Sequence, residues 1–182
     1  MKRKLSLAIA MLTLLQVSAL ASLQEKRLEF TFADVPWTLT IPADDFQLTE
    51  KQMRTDGHGV YFHLVDDKQN LNLSMFIEPV KSCADSKSCR DFIWKTGNPE
   101  WINPQNIVQS EIGGVSVLEF MVPKFQGMDI RQHNVYAEFV QDGFWVDMHI
   151  SKIFYKPEEH QLFERIIKSV KFEPKTKAPS EN

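Results

Sequence analysis

The segment 135–150 reads VYAEFVQDGFWVDMHI, with two alternating apolar stretches on either side of Asp142-Gly143. An Asp-Gly pair in this setting is a strong signal for a β-hairpin, because both residues tolerate the positive φ angles of a type I′ turn. A two-residue loop here pairs Val135 with Ile150, Ala137 with Met148 and Phe139 with Val146. These apolar side chains then share one face, so the sequence predicts a hairpin with strands at 135–140 and 144–150.

The same register places polar residues on the opposite face of this hairpin. Glu138 lies directly across from Asp147, and His149 follows on that face, opposite Tyr136. Facing carboxylates repel each other unless a proton, a cation or a basic side chain relieves the repulsion. Carboxylates and imidazoles also bind divalent metals. Glu138, Asp147 and His149 are therefore candidate ligands of a divalent cation; the alternative is a solvated pair, or one balanced by a nearby Lys or Arg.

Two more hairpins are predicted from alternation and turn residues. Residues 60–65 and 71–77 flank a polar run, and residues 107–112 and 115–122 flank Gly113-Gly114. In the first of these hairpins, parity pairs Val60 with Ile77, Phe62 with Met75 and Leu64 with Leu73. Alternation also predicts shorter strands at 27–32 and 37–41.

Two helices complete the pattern. Residues 85–96 show helical spacing of apolar residues behind a Ser/Asp-rich start. Pro157 and the two acidic residues after it start a second, amphipathic helix, which a short strand at 170–172 follows. Because the hairpins carry apolar residues on both faces, both faces need cover. The sequence therefore predicts an α+β protein of one domain, in which helices pack on the two faces of an antiparallel β-sheet.

The first 21 residues have the three parts of a secretory signal peptide. Three basic residues at 2–4 precede an apolar stretch at 5–15, and Ala19-Leu20-Ala21 fits cleavage after Ala21. The apolar stretch is shorter than the roughly 20 residues of a membrane-spanning helix. We expect a soluble periplasmic or secreted protein without a membrane span after cleavage, with a globular domain at 22–173 and a polar, disordered tail at 174–182.

Cys83 and Cys89 are the only cysteines. An even pair in an exported chain predicts a disulfide bond, since the compartments outside the cytoplasm are oxidising. The spacing differs from the Cys-x-x-Cys of thiol oxidoreductases, so redox catalysis is disfavoured. The bond is expected to fix one local segment of the chain.

The end of the predicted domain, FERIIKSVKF at 163–172, runs from a helix directly into a last strand. Together with the start that contains Pro42 and the hairpins between, it resembles the ending of Mog1/PsbP-like domains. The resemblance covers 27–173. It implies an α/β/α sandwich around an antiparallel sheet, and it implies accessory or binding proteins more than enzymes. It supplies no catalytic motif, and a Cys83–Cys89 pair is not expected of that family in general.

Two predicted loops carry apolar residues that are unusual at such places. Trp101 lies in a loop with two Asn-Pro pairs, and the loop 123–131 carries Phe125 and Met128. Loops on a rigid scaffold collect binding residues, and aromatic residues and Met are enriched in interface cores. Trp101, Phe125 and Met128 are therefore candidate contacts for a partner or ligand; the alternative is that each packs into its own domain.

Composition and motifs argue against several classes of function. Without its first 21 residues the chain has 18 basic and 24 acidic residues, a balance that argues against nucleic-acid binding. The sequence contains no His-x-x-x-His, no Gly-x-Ser-x-Gly and no Gly-rich phosphate loop. His58 lies on a turn between two glycines, where a ligand or pH role is the alternative to an ordinary loop residue. The histidines at 63, 133 and 160 have no diagnostic partner in the sequence and are assigned no role.

Three interpretations of function remain open. The leading one is an exported, non-catalytic accessory protein without a cofactor, which binds a protein partner through its loops; inhibitor, chaperone and assembly roles all belong to this class. The second is a periplasmic protein that binds a small ligand or a divalent metal on the face of Glu138, Asp147 and His149. The third is an enzyme of unrecognised type, which requires a cleft that joins the histidines to the carboxylates.

Overall fold

The computed structural model describes residues 26–42, 45–97 and 103–175. The signal peptide, Trp101 and most of the polar tail lie outside these residues and stay predictions. Within the described residues, no helix combines the length and the apolar character that are needed to cross a membrane.

The described residues form two antiparallel sheets and two helices. In chain order the elements are β1 (Arg27–Phe30), β2 (Trp37–Pro42), β3 (Gln47–Met53), β4 (Val60–Asp66), β5 (Leu71–Pro79), α1 (Ser86–Gly97), β6 (Gln105–Ile112), β7 (Val115–Phe125), β8 (Met128–Gln141), β9 (Phe144–Lys152), a 3-10 turn (Pro157–Glu159), α2 (His160–Ser169) and β10 (Lys171–Pro174). One sheet has the order β1-β2-β10, and the larger one has the order β3-β4-β5-β9-β8-β7-β6.

The predicted registers of two hairpins are confirmed. In β4 and β5, Val60 faces Ile77, Phe62 faces Met75 and Leu64 faces Leu73. In β8 and β9, Val135 faces Ile150, Ala137 faces Met148 and Phe139 faces Val146. These side chains are buried and form one face of the larger sheet, which we call its inner face.

The two helices lie on opposite faces of the larger sheet, so the predicted α+β architecture is confirmed. The inner face packs against α2 and the three-stranded sheet, with Leu39, Ile41 and Phe163 fully buried between them. The other face, here called the outer face, carries α1, whose Trp94 packs on the buried residues Leu118, Phe120 and Val122. Separation of β1, β2 and β10 into a sheet of their own was not predicted.

The segment 123–131 is not a loop, contrary to the prediction. β7 and β8 continue through it and turn at Gln126 and Gly127, whose φ angles are 50° and 82°. Two successive positive φ angles are those of a two-residue hairpin turn. Pro123 stands at an irregularity of the β7–β8 ladder, where a strand tolerates proline. The prediction was wrong because Gln-Gly is a weaker turn signal than Asn-Gly or Asp-Gly.

Two other boundaries differ from the sequence-based prediction. β3 was not predicted, because all seven of its residues are exposed at the edge of the sheet and show no useful alternation. β10 extends to Pro174, which pairs with Trp37, and the amide of Lys175 donates to the carbonyl of Pro36. The first residues of the predicted tail therefore belong to the three-stranded sheet.

The predicted disulfide bond is present between Cys83 and Cys89, with the two Cα atoms 4.9 Å apart. Cys89 lies in α1 and is fully buried, whereas Cys83 lies in the segment that leads into the helix. The bond therefore holds this segment against the first turns of α1.

Replacement of both cysteines by Ser is expected to lower the free energy of unfolding by about 2 kcal/mol, because so short a loop restricts the unfolded chain only modestly. Urea denaturation followed by circular dichroism measures this loss. Reduction of the wild-type protein is the control and should lower the midpoint by a similar amount. An unchanged midpoint in both cases would show that the bond contributes nothing to stability.

Candidate functional site

The start of α1 is fixed to the outer face by its own side chains. The amide of Ser88 donates to Asp85 Oδ1 over 2.7 Å, and the amide of Asp85 donates to Ser88 Oγ over 3.0 Å, which is a reciprocal N-terminal cap. Ser86 Oγ donates to the carbonyl of Glu138 over 2.5 Å and accepts from the amide of Ser116 over 2.7 Å. These bonds hold the first turn of the helix over β7 and β8.

Further along α1, a groove remains open between the helix and the outer face. It has a volume of about 390 Å³. Its apolar walls are Ile93, Trp94, Leu118, Phe120, Val122, Phe125, Ile130 and Tyr136, and its polar lining is Gln132, Asn134, Asp147 and His149. We call this the outer groove.

The facing carboxylates of the last hairpin lie beneath this helix. Glu138 is fully buried and accepts a hydrogen bond from Trp145 Nε1 over 2.6 Å. Glu138 Oε1 and Asp147 Oδ1 are both buried without a hydrogen-bond partner. Neither carboxylate forms a salt bridge to a Lys or Arg of the described residues.

Protonation therefore relieves the repulsion that the sequence indicated. Burial and then the charge of Asp147 raise the pKa of Glu138 well above its usual range. Burial and then the charge of Glu78 raise the pKa of Asp147 to about 7. The pair holds protons at pH values where an exposed carboxyl group would be ionised.

His149 is neutral, and its hydrogen-bond and stacking partners are residues other than these carboxylates. Its ring stacks on Tyr136 with centroids 4.2 Å apart, and its Nε2 donates to Asn134 Oδ1 over 3.1 Å. Burial lowers the pKa of His149 to about 4, because the charged imidazolium would lose its water.

Glu138, Asp147 and His149 thus share the outer face, but the structure does not gather their ligand atoms into a cation site. Within the described residues, one group of three such atoms lies within 4.8 Å of one another, and it consists of Glu119, His133 and His160 instead.

This second cluster lies on the inner face, between β7, β8 and α2. Glu119 and His133 are buried, and His160 is partly exposed. His133 Nε2 and His160 Nε2 donate to the same atom, Glu119 Oε2, over 3.1 and 2.9 Å. Burial would raise the pKa of Glu119, but the hydrogen bonds from the two histidines outweigh it and lower that pKa.

The sequence analysis missed this cluster. The strand pattern carries part of the signal, because Glu119 and His133 have the same parity as the inward residues Val117 and Val135. The third member, His160, lies in α2, and the local sequence does not predict where that helix packs on the sheet.

The predicted binding residues Phe125 and Met128 face each other at the tip of the β7–β8 hairpin. Their exposed fractions are 36% and 60%. Phe125 lines the outer groove, whereas Met128 is not part of its lining.

Comparison with known proteins establishes the fold. No protein-family model and no curated protein matches the sequence. The chain is similar to the solution structure of cyanobacterial PsbP (CyanoP) from Synechocystis sp. PCC 6803, with a TM-score of 0.53 and 13% identity over 81% of this chain and 92% of that one. It is also similar to a protein from Bacteroides thetaiotaomicron VPI-5482, with a TM-score of 0.51 and 10% identity over 84% of this chain and 50% of that one. The chain therefore has the Mog1/PsbP-like fold that the sequence resemblance implied.

Proposed function

We propose that this chain is an exported accessory protein, without catalytic activity of its own, which binds a protein partner in the outer groove. The observation that carries the proposal is an apolar groove left open under α1, because proteins use exposed apolar concavities for binding. Its volume of about 390 Å³ is near the lower end of the roughly 300–1,000 Å³ of ligand pockets. Such a volume suits a small occupant, such as a side chain of the partner.

The lining of the groove indicates the chemistry of that side chain. Most of the walls are aromatic or aliphatic, and Asp147, which also lines the groove, has a buried oxygen without a hydrogen-bond partner. An apolar side chain that ends in a hydrogen-bond donor, such as Trp, Tyr or Lys, satisfies both features.

Apolar surface outside the groove favours a protein occupant over a free small molecule. Met128, which is 60% exposed and pairs with the groove residue Phe125, continues this surface along the β7–β8 hairpin. A segment of a partner that lies along the hairpin covers this extension, whereas a molecule confined to the groove leaves it in water.

Export and the accessory role are supported by the sequence and the fold. The signal-peptide pattern at 1–21 and the Cys83–Cys89 disulfide both fit an oxidising compartment. The Mog1/PsbP-like resemblance implies accessory or binding proteins, and the sequence contains none of the catalytic motifs considered above.

Site-specific crosslinking in the source cells tests the proposal. A photoreactive amino acid in place of Met128 is expected to capture one partner protein. The second substitution Ile130→Trp, which puts a large side chain into the groove, is expected to reduce that capture at least tenfold. Asp129→Trp is the matched control, because residue 129 is an exposed neighbour in the same strand that does not line the groove; it should leave the capture unchanged.

Two results would overturn this assignment. One is equal capture from a photoreactive residue at Lys171 in the other sheet, and the other is capture that Ile130→Trp does not affect. Melting temperatures of the variants, compared with that of the wild type, show whether each variant is folded.

A second candidate, binding of a small cationic or donor ligand, is favoured by the unpartnered Asp147 Oδ1 alone. Native mass spectrometry of protein purified from its source distinguishes the two candidates. A bound small molecule that Asp147→Asn releases would support ligand binding, whereas a protein free of small molecules that still crosslinks at position 128 would support the partner.

A further inference from the structure

The cluster of Glu119, His133 and His160 lies on the sheet face opposite the outer groove, so it is independent of the proposed function. Three separate elements supply its ligand atoms: one carboxylate oxygen from β7, one imidazole nitrogen from β8 and one from α2. The two nitrogens lie 3.1 and 2.9 Å from the same carboxylate oxygen.

This ligand set matches a known preference of zinc. Two imidazole nitrogens and one carboxylate oxygen, with a fourth position left open, are a ligand set of zinc sites. For bond lengths near 2.0–2.1 Å, the ligand atoms at two corners of a tetrahedron lie about 3.3 Å apart. The two nitrogen–oxygen separations are a few tenths of an ångström shorter, and the two nitrogens lie within 4.8 Å of each other. Small movements of the side chains would bring the three atoms to corners of a tetrahedron around the ion.

We propose that Glu119, His133 and His160 bind a divalent transition-metal ion, Zn²⁺ in the first place, with one coordination position open to solvent or to a ligand.

Groups around the cluster can hold the histidines in the required tautomer. When Nε2 of a neutral imidazole binds a metal, its proton resides on Nδ1 and needs an acceptor. His160 Nδ1 lies 3.5 Å from Glu164 Oε1, which is such an acceptor. His133 Nδ1 lies 3.3 Å from Met121 Sδ, a weaker acceptor.

The site is rigid on one side and accessible on the other. The ring of His133 stacks on Tyr155 with centroids 4.2 Å apart, and it meets the edge of Phe163 at 5.0 Å. All three ligands line an open groove between β6, β7, β8 and α2, with a volume of about 490 Å³. This groove supplies the path by which an ion enters and the space for its fourth ligand.

Titration of the tag-free chain with Zn²⁺ after removal of metals by a chelator tests the proposal. Isothermal calorimetry is expected to show one ion per chain. At a hundred times the dissociation constant, the melting temperature should rise by roughly 5 to 10 °C. Co²⁺ in place of Zn²⁺ should give the visible absorption of a four-coordinate ion.

Matched histidine variants locate the site. His160→Ala and the more conservative His160→Gln are expected to weaken Zn²⁺ binding at least tenfold, while their melting temperatures in chelator stay close to that of the wild type. Since residue 160 is partly exposed, both variants should fold. His58→Ala is the control, because His58 is 64% exposed and outside the cluster.

Three results would overturn the proposal: no binding to the wild type at millimolar Zn²⁺, equal affinity in the variants at 160 and the wild type, or loss of binding in His58→Ala. Any of these would leave the cluster as a hydrogen-bonded network. None of these three results bears on crosslinking at position 128, so the metal site can be disproved without disproving the proposed function.

Discussion

Asp147→Asn is expected to stabilise the protein at pH 8 and to change its stability little at pH 4. A carboxyl group whose pKa rises from about 4 in the unfolded chain to about 7 on folding binds more protons in the folded state between those values. Its contribution to stability is therefore complete at low pH and is lost as the pH rises. The loss amounts to at most about 4 kcal/mol, and asparagine avoids it because it carries no charge.

Urea denaturation of both proteins at several pH values between 4 and 8 measures this effect. The difference in free energy of unfolding between variant and wild type should grow steadily over this range. His149 acts in the opposite direction, because its lowered pKa makes stability fall as the pH drops from about 6.5 to about 4. Both proteins contain His149, so the difference between them isolates the carboxylates.

The control for this experiment is Asp129→Asn, since residue 129 is exposed and lies in β8, the strand that pairs with the strand of Asp147. The difference from the wild type should grow more between pH 4 and pH 8 for Asp147→Asn than for this control. If Asp147→Asn instead destabilises the protein at pH 8, a cation or a basic partner must stabilise the ionised carboxylates, and the protonated pair described above is wrong.

Phe163→Ala is expected to lower the free energy of unfolding by about 3–5 kcal/mol, the range for removal of a buried aromatic side chain. Phe163 is fully buried where α2 meets the inner face. Its ring also contacts His133 and Tyr155, with centroids 5.0 and 5.9 Å away. Alanine leaves a cavity that the surrounding sheet cannot fill, because strand pairing holds its backbone in place.

Chemical denaturation at a single pH measures this loss. Gln161→Ala, at an exposed position of the same helix, should change the free energy of unfolding by no more than about 0.5 kcal/mol. A loss below about 1 kcal/mol for Phe163→Ala would mean that α2 does not dock on the sheet as described.

The hairpins could be predicted because their information is local. Asp142-Gly143 sets a two-residue turn, and parity then decides which side chains share a face. The register from Val135 to Ile150 follows from these two facts alone. The turn at Gln126-Gly127 lacks such a signal, and the exposed strand β3 lacks alternation, so neither was predicted.

The sequence by itself determined the registers of two hairpins, the two helices and the pairing of Glu138 with Asp147. Only the tertiary structure decided the protonation of those carboxylates, because α1 covers them and burial raises their pKa. The tertiary structure also placed the cluster of three ligand atoms on the inner face, because it brings His160 into hydrogen-bond contact with Glu119, 41 residues earlier in the sequence. The docking of a helix on a sheet depends on the sum of many distant packing contacts, which no short pattern of residues encodes.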